Sequence, residues 1–255
     1  MTGAFCLCLF LPFCVIMNRD IFSPEAFMKQ KKTFFSEYAY VFGIILLALA
    51  TALTERADFG LSMVVAPAYL IHLKVSEFLP FYTFGMSEYV FQAFLLILLT
   101  VIMRKGKLSY LLSFVTALFY GILLDIMMSI IAFIPNDVFA ARVLLFIAGV
   151  LICSFSIALL FNTYLPPEAY ELFVKEFSEK FGISIGKVKT VYDCTSCVVS
   201  IIMSFLFFGF GVFSGIGWGT VICALTNGWL IERFSRWLGK IFVFKDALQL
   251  KNKIN

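Results

Sequence analysis

Asp125 stands among Ile122, Leu123, Leu124, Ile126 and Met127, an ionisable carboxyl inside an apolar run. Insertion scales put an ionised Asp at the centre of a membrane helix about 3 kcal/mol uphill, so such a group asks for a function or a partner. A carboxyl that gains and loses a proton there is what a proton-coupled carrier uses. A neutral Asp125 that only hydrogen-bonds a neighbouring helix is the competing reading. Glu88 and Gln92 are four apart and share one helix face. Further polar groups in apolar surroundings are Asp58, beside Glu55 and Arg56, then Asn162, Asp193, Asn227 and Glu232. For Glu55, Arg56, Asp58, Glu88, Asp193 and Glu232 the plain alternative is that each reaches the headgroups from the end of its segment. Gly209, Gly211, Gly215, Gly217 and Gly219 lead into Thr220. If that run is helical, the glycines spaced four apart permit close helix contact. If it breaks the helix, exposed N–H groups together with Thr220 could face an anion.

Other chemistries find little support. Cys194 and Cys197 have redox or metal spacing, but they fall in an apolar segment with no second cysteine pair. His72 is the only histidine and suits the water boundary of a membrane better than a ligand set. There is no metal site, no cofactor motif, no nucleophile elbow and no Asp/His pair, so the chain does not read as an enzyme. The net charge of +4 forms no dedicated patch, which argues against nucleic acid.

The elements that must hold these groups cross a bilayer. In 255 residues the chain is 62% hydrophobic, contains 32 Phe and has a mean hydropathy of +0.97, more apolar surface than a soluble domain can bury. Segments of about 20 apolar residues cross the hydrocarbon core. They are predicted at 38–57, 86–103, 108–134, 138–162, 191–213 and 217–238. Two apolar connectors are too short to cross. Residues 61–73 are interrupted by Pro67. In 168–181, Leu172, Phe173, Phe177 and Phe181 form a stripe opposite Glu171, Lys175, Ser178 and Glu179. They read as surface-lying helices, or more sharply as gates over a central site. Placing the N-terminus inside collects 17 of the 20 Lys and Arg on the cytoplasmic face, Lys187 and Lys189 among them. Arg56, Lys74 and Arg142 remain outside. Both termini are then cytoplasmic.

The segments also repeat. Gly43 and Ala52-Leu53 match Gly149 and Ala158-Leu159, 106 residues on. Ser76-Glu77 and Gly85 recur as Ser178-Glu179 and Gly186. Ala117-Leu118, Gly121 and Asp125 recur as Ala224-Leu225, Gly228 and Glu232, at 107. Three spans per copy turn the second copy upside down. The predicted fold is therefore an all-α polytopic membrane protein, six transmembrane helices in two inverted three-helix repeats with short interfacial helices, the build of many secondary transporters. Residues 38–134 form the first repeat, 138–238 the second and 239–255 a basic cytoplasmic tail. Residues 1–37 hold a leader and a cytoplasmic segment. The leader lacks a basic start and a cleavage site, and Met17 reads as the functional start.

Ala57-Asp58-Phe59-Gly60-Leu61-Ser62 resembles the Ala-Asn/Asp-x-Gly-x-Ser/Pro element of YczE/YyaS/YitT-type bacterial membrane proteins. Ile183-Ser-Ile-Gly-Lys187 and Gly215-Ile-Gly-Trp-Gly-Thr220 are similar to that family's Ser-Ile-Gly and Gly-Ile-Gly-Thr elements, the latter with Trp218-Gly219 inserted. The resemblance implies a protein of the bacterial cytoplasmic membrane and no defined substrate. Function reads first as a small secondary transporter or exporter of an unidentified solute, proton-coupled through Asp125 or Glu88. The alternative is a non-transporting membrane partner that supports another protein's assembly or regulation. The lipid bilayer and a small solute are the expected partners, and a homo-oligomer is compatible with both readings.

Overall fold

Side chains on two of the long helices are sorted inside out relative to a soluble protein. The computed structural model describes residues 32–104, 106–211 and 216–246. Among them are eight helices: α1 (Ser36–Ala57), α2 (Ala66–Ser76), α3 (Phe84–Met103), α4 (Leu108–Ile131), α5 (Phe139–Phe161), α6 (Ala169–Phe181), α7 (Ile185–Phe208) and α8 (Trp218–Ile241). On α7 the buried residues are Gly186, Lys189, Asp193, Ser200 and Ser204, while Val191, Val198, Ile202 and Leu206 face outward. Helix α3 likewise buries Ser87, Glu88 and Gln92 and exposes Val90, Phe94, Ile97 and Val101. Polar side chains inside and apolar ones outside is the arrangement a lipid solvent selects. Helices α1, α3, α4, α5 and α7 are long and apolar enough to cross a membrane. Helix α8 matches them in length but carries Glu232, Arg233 and Arg236 in its second half.

The predicted spans lie on α1, α3, α4, α5, α7 and α8 within a few residues, except that α7 begins at Ile185 rather than 191. That earlier start draws Lys187 and Lys189 into the helix. The expectations for the leader and Met17, for Gly215, for the last residues of the fifth segment and for the tail after Asp246 lie outside the described residues.

Packing recurs in matched pairs. Helix α1 packs along α5. Helices α3 and α4 pair as α7 and α8 do, and α1 lies on α4 as α5 lies on α8. The short helices cross over: α2 touches α3 and α7, while α6 touches α7 and α3. Glycines make the close approaches. A Cβ on Gly43 would lie 2.9 Å from Leu160, and one on Gly149 would lie 2.6 Å from Thr54. A Cβ on Gly85 would meet Gly121 and Asp125, and one on Gly186 would meet Gly228 and Glu232. The glycines that recur in the sequence all stand at such close approaches.

A two-stranded sheet joins β1 (Lys32–Phe35), which precedes α1, to β2 (Phe242–Lys245), which follows α8. The Phe34 ring packs at a tilt against Phe242 and edge-on against Phe244 there.

Candidate functional site

The first turns of both short helices are buried, at Ala66, Pro67, Ala68 and Leu70 in α2 and from Ala169 to Leu172 in α6. The chain before α6 enters the interior as irregular backbone, so its carbonyls need internal partners. Ser113 Oγ donates to Pro167 O at 2.6 Å; Thr116 Oγ1 at 3.3 Å and Tyr40 Oη at 3.2 Å both reach Pro166 O, and as the two hydroxyls also bond each other, one donates to that carbonyl and the other to its neighbour. The chain after α1 docks in the same way on the start of α8, where the Gly219 N–H donates to Phe59 O at 2.8 Å. Gly60 holds a φ of +99° there, and a Cβ on it would lie 2.0 Å from Thr220 Oγ1.

The first turn of α6 brings a buried charged cluster together with α3 and α7. Gln92 Nε2 donates to Glu88 Oε2 and to Glu168 Oε2, each at 3.1 Å. Gln92 Oε1 accepts from the Ala169 N–H at 3.1 Å, and Tyr170 Oη donates to Glu88 Oε2 at 2.8 Å. One turn along α6, Glu171 Oε1 accepts from Lys189 Nζ at 3.3 Å. Lys189 is also 3.3 Å from Asp193 Oδ1, one helical turn away, with its ammonium 5.7 Å from the centre of the Tyr192 ring. All of these charged side chains are buried. Among the described residues, Glu88 Oε1, Glu168 Oε1, Glu171 Oε2 and both Asp193 oxygens accept no hydrogen bond; for Asp193 the link to Lys189 is ionic. Burial, reinforced by Glu171 and Glu88, raises the Glu168 carboxyl well above the ordinary carboxylate range. No group of three His, Cys, Asp or Glu among the described residues is placed to hold a metal ion.

Two cavities lie at opposite ends of α1. One of about 510 Å³ is lined by Ser36, Lys107, Asn162, Tyr164 and Glu176. The other, of about 480 Å³, is lined by Thr54, Arg56, Asp58, Gly60 and Tyr69. Ser36 opens α1 and Thr54 to Arg56 close it, roughly 30 Å apart at 1.5 Å per residue.

Of the residues singled out in the sequence, Glu88, Gln92 and Asp193 enter the cluster. Asp125 does not. It accepts from the Gly85 N–H at 3.0 Å and from Thr83 Oγ1 at 2.8 Å, at the start of α3. Glu232 sits likewise against Gly186 near the start of α7, with an Arg236 ion pair at 3.5 Å. Asp58 is exposed at the end of α1 and pairs with Arg142 at 2.9 Å. Asn162 donates to Ala158 O at 2.7 Å and to Ser235 Oγ at 2.9 Å. Buried Asn227 accepts from Ser154 at 3.4 Å. Thr220 accepts from the Gly217 N–H at 3.1 Å, and Gly219 donates to Phe59, so those two amides have partners within the fold. The glycine run breaks the helix: Gly209 and Gly211 have positive φ outside α7 and α8. His72 bonds the Tyr82 carbonyl at 3.0 Å. Burial lowers its imidazole below the usual value, opposed by that carbonyl and by Asp125.

Lys189, Glu171, Glu168 and Tyr170 are additions. Lys189 is not a cytoplasmic surface lysine, and Glu171 is not on a solvated face. One signal was present: Lys189 and Asp193 repeat the spacing of Glu88 and Gln92 at the offset, 101, that relates Gly85 to Gly186.

The helices and their buried charges define a multi-pass helical membrane protein. The chain belongs to a family of unknown function, DUF6198, which it matches over residues 34–236. No curated protein and no solved structure shows significant similarity to it.

Proposed function

We propose that the chain is a small secondary transporter, with its central polar cluster closed to both sides of the bacterial cytoplasmic membrane. The observation that carries this reading is the burial of charged side chains from both parts of the chain, on α3 and on α6–α7, in a fold that also holds two polar cavities at opposite ends of α1. Charges cost several kcal/mol in such an interior and are kept where something must bind. Matched packing pairs support two inverted repeats, α1–α4 and α5–α8, each with one re-entrant helix. Pairing of β1 with β2 supports a sixth crossing by α8, since chain ends on one face require an even number. Basic residues favour that face as the cytoplasmic one. The relation to YczE/YyaS/YitT-type proteins belongs to the same proposal.

The test compares small-molecule profiles of cells lacking the protein, cells producing it and cells producing Glu88→Gln. A solute whose level follows the active protein, and which the purified protein moves across liposomes, is the expected result. Identical profiles in all three strains overturn transport and favour a membrane-partner role.

A further inference from the structure

The charged cluster is unbalanced. Glu88, Glu168, Glu171 and Asp193 face a single ammonium, Lys189, and all five are buried. An interior of low dielectric does not hold three uncompensated negative charges, so protons or an added cation must make up the difference. The shortfall is local. Lys189 lies between Glu171 and Asp193 and against the Tyr192 ring. Glu88 and Glu168 share only the neutral amide of Gln92, beside Tyr170 and the Phe91 ring, which lies 6.1 Å from that of Tyr170. The two halves of the cluster correspond: Glu88, Phe91 and Gln92 stand 101 residues before Lys189, Tyr192 and Asp193. So one half carries its own ammonium, held by carboxylates and an aromatic face, where the other carries carboxyls and neutral donors but no cation.

We propose that the Glu88–Glu168 half binds a small organic ammonium ion and releases a proton in exchange. The proposal rests on the transporter reading and names its substrate class. An ammonium brings N–H donors, and Glu88 Oε1 and Glu168 Oε1, both in this half, are buried acceptors without a donor among the described residues. The nearby ring adds cation–π attraction, as Tyr192 does for Lys189. A metal cation suits the cluster poorly, because no three carboxylates are placed to coordinate one. The exchange balances: one positive charge enters, one carboxyl loses its proton to water, and the net charge of the cluster is unchanged. That balance gives a proton-coupled carrier of cationic amines.

The test uses purified full-length protein in detergent, weakly buffered with a pH indicator, titrated with methylammonium chloride. The expected result is a saturable acidification, approaching one proton per protein by charge conservation, together with a raised melting temperature. Sodium chloride at equal ionic strength gives neither. Glu168→Gln and Glu88→Gln each reduce the release at least severalfold while still melting cooperatively. Absence of release, an equal response to sodium, or undiminished release in both variants overturns the proposal. These outcomes leave the transporter reading standing, because that reading falls only on the solute profiles of cells.

Discussion

Tyr170 donates its phenolic hydrogen to Oε2 of Glu88 at 2.8 Å, tying α6 to α3 inside the closed core. The oxygen that accepts it also accepts from Gln92, so the phenol is one of two donors on a group that water does not reach. Losing a donor to a buried acceptor costs about 1–3 kcal/mol, whereas polar pairs in membrane interiors average about 0.6 kcal/mol by double-mutant cycle. Tyr170→Phe is expected to lower unfolding stability in mixed micelles by about 1 kcal/mol. Its cycle with Glu88→Gln should return a coupling of about 0.6 kcal/mol or more. A coupling of zero would mean that the phenol does not hold the carboxylate.

The glycine pair between α1 and α5 separates two kinds of tight contact. At Gly43 a methyl would meet the end of Leu160, a flexible side chain. At Gly149 it would meet Thr54 Cγ2 at 2.6 Å, with Ala50 O and Thr54 N at 3.1 and 3.2 Å. Backbone cannot step aside as a leucine methyl can. Gly149→Ala should therefore cost about 1–3 kcal/mol, in the range of overpacking, and Gly43→Ala clearly less. Melting temperatures of the two variants check the order, and equal losses would contradict it.

Asp125 is expected to act as a cap. Its carboxylate takes the Gly85 amide and the Thr83 hydroxyl, while Thr83 Oγ1 accepts from the Met86 N–H at 3.1 Å. Removing a helix N-terminal acceptor costs typically about 1 kcal/mol. Asp125→Ala should lose about that much, and Asp125→Asn less, since an amide oxygen still accepts from Gly85. Proton release by methylammonium should be unchanged in Asp125→Asn. If release disappears in a folded Asp125→Asn protein, the carboxyl belongs to the exchange chemistry after all.

How far the sequence could be read follows from what each residue leaves behind in a one-dimensional pattern. The long apolar segments were legible because lipid-facing side chains fill most of each one. Gly43, Gly85, Gly121 and their counterparts were legible because close packing recurs in both parts. Lys189 was hidden by its own charge: a lysine near the start of an apolar segment looks like a boundary marker, and it moved the expected start of α7 to 191. Glu171 was hidden by amphipathicity, since a polar stripe does not say whether it faces water or a charged partner inside a membrane. Glu168 lies in irregular backbone, which has no period to read. Asp125 drew attention through its apolar neighbours, but neighbours in sequence say nothing of the Gly85 amide it meets in space.

Helix α8 supplies a test of crossing number. Trp218 at its start is exposed, and so is Lys240 near its end. In a background without native cysteines, Trp218→Cys should react with an impermeant maleimide on intact cells. Lys240→Cys should react only after permeabilisation. Its 24 residues span roughly 36 Å, enough to cross. Labelling of both positions from one side would rule out a sixth crossing.

The pH dependence of stability should separate Glu168 from His72, because the two shifts have opposite signs. Burial first, then Glu171 and Glu88, raise the Glu168 carboxyl well above the ordinary range, against smaller opposing contributions from Gln92 and Lys189. The folded protein therefore keeps a proton that the unfolded chain has already lost. Stability from this proton is fully present below the unfolded carboxyl value of about 4.3. It is lost as the pH rises through the raised folded value. His72 runs the other way: its lowered imidazole favours the neutral ring in the fold. That contribution is present above the unfolded value of about 6.5 and declines as the pH falls through the folded one. Melting temperature followed from acid to mildly alkaline pH should show both slopes in the unaltered protein. Glu168→Gln keeps an acceptor for Gln92 but has no proton to lose, so its curve should flatten on the alkaline side and leave the acid side unchanged. His72→Gln should flatten only the acid side. An alkaline slope that survives Glu168→Gln would place the buried proton on another carboxyl of the cluster, with Glu88 the next to substitute.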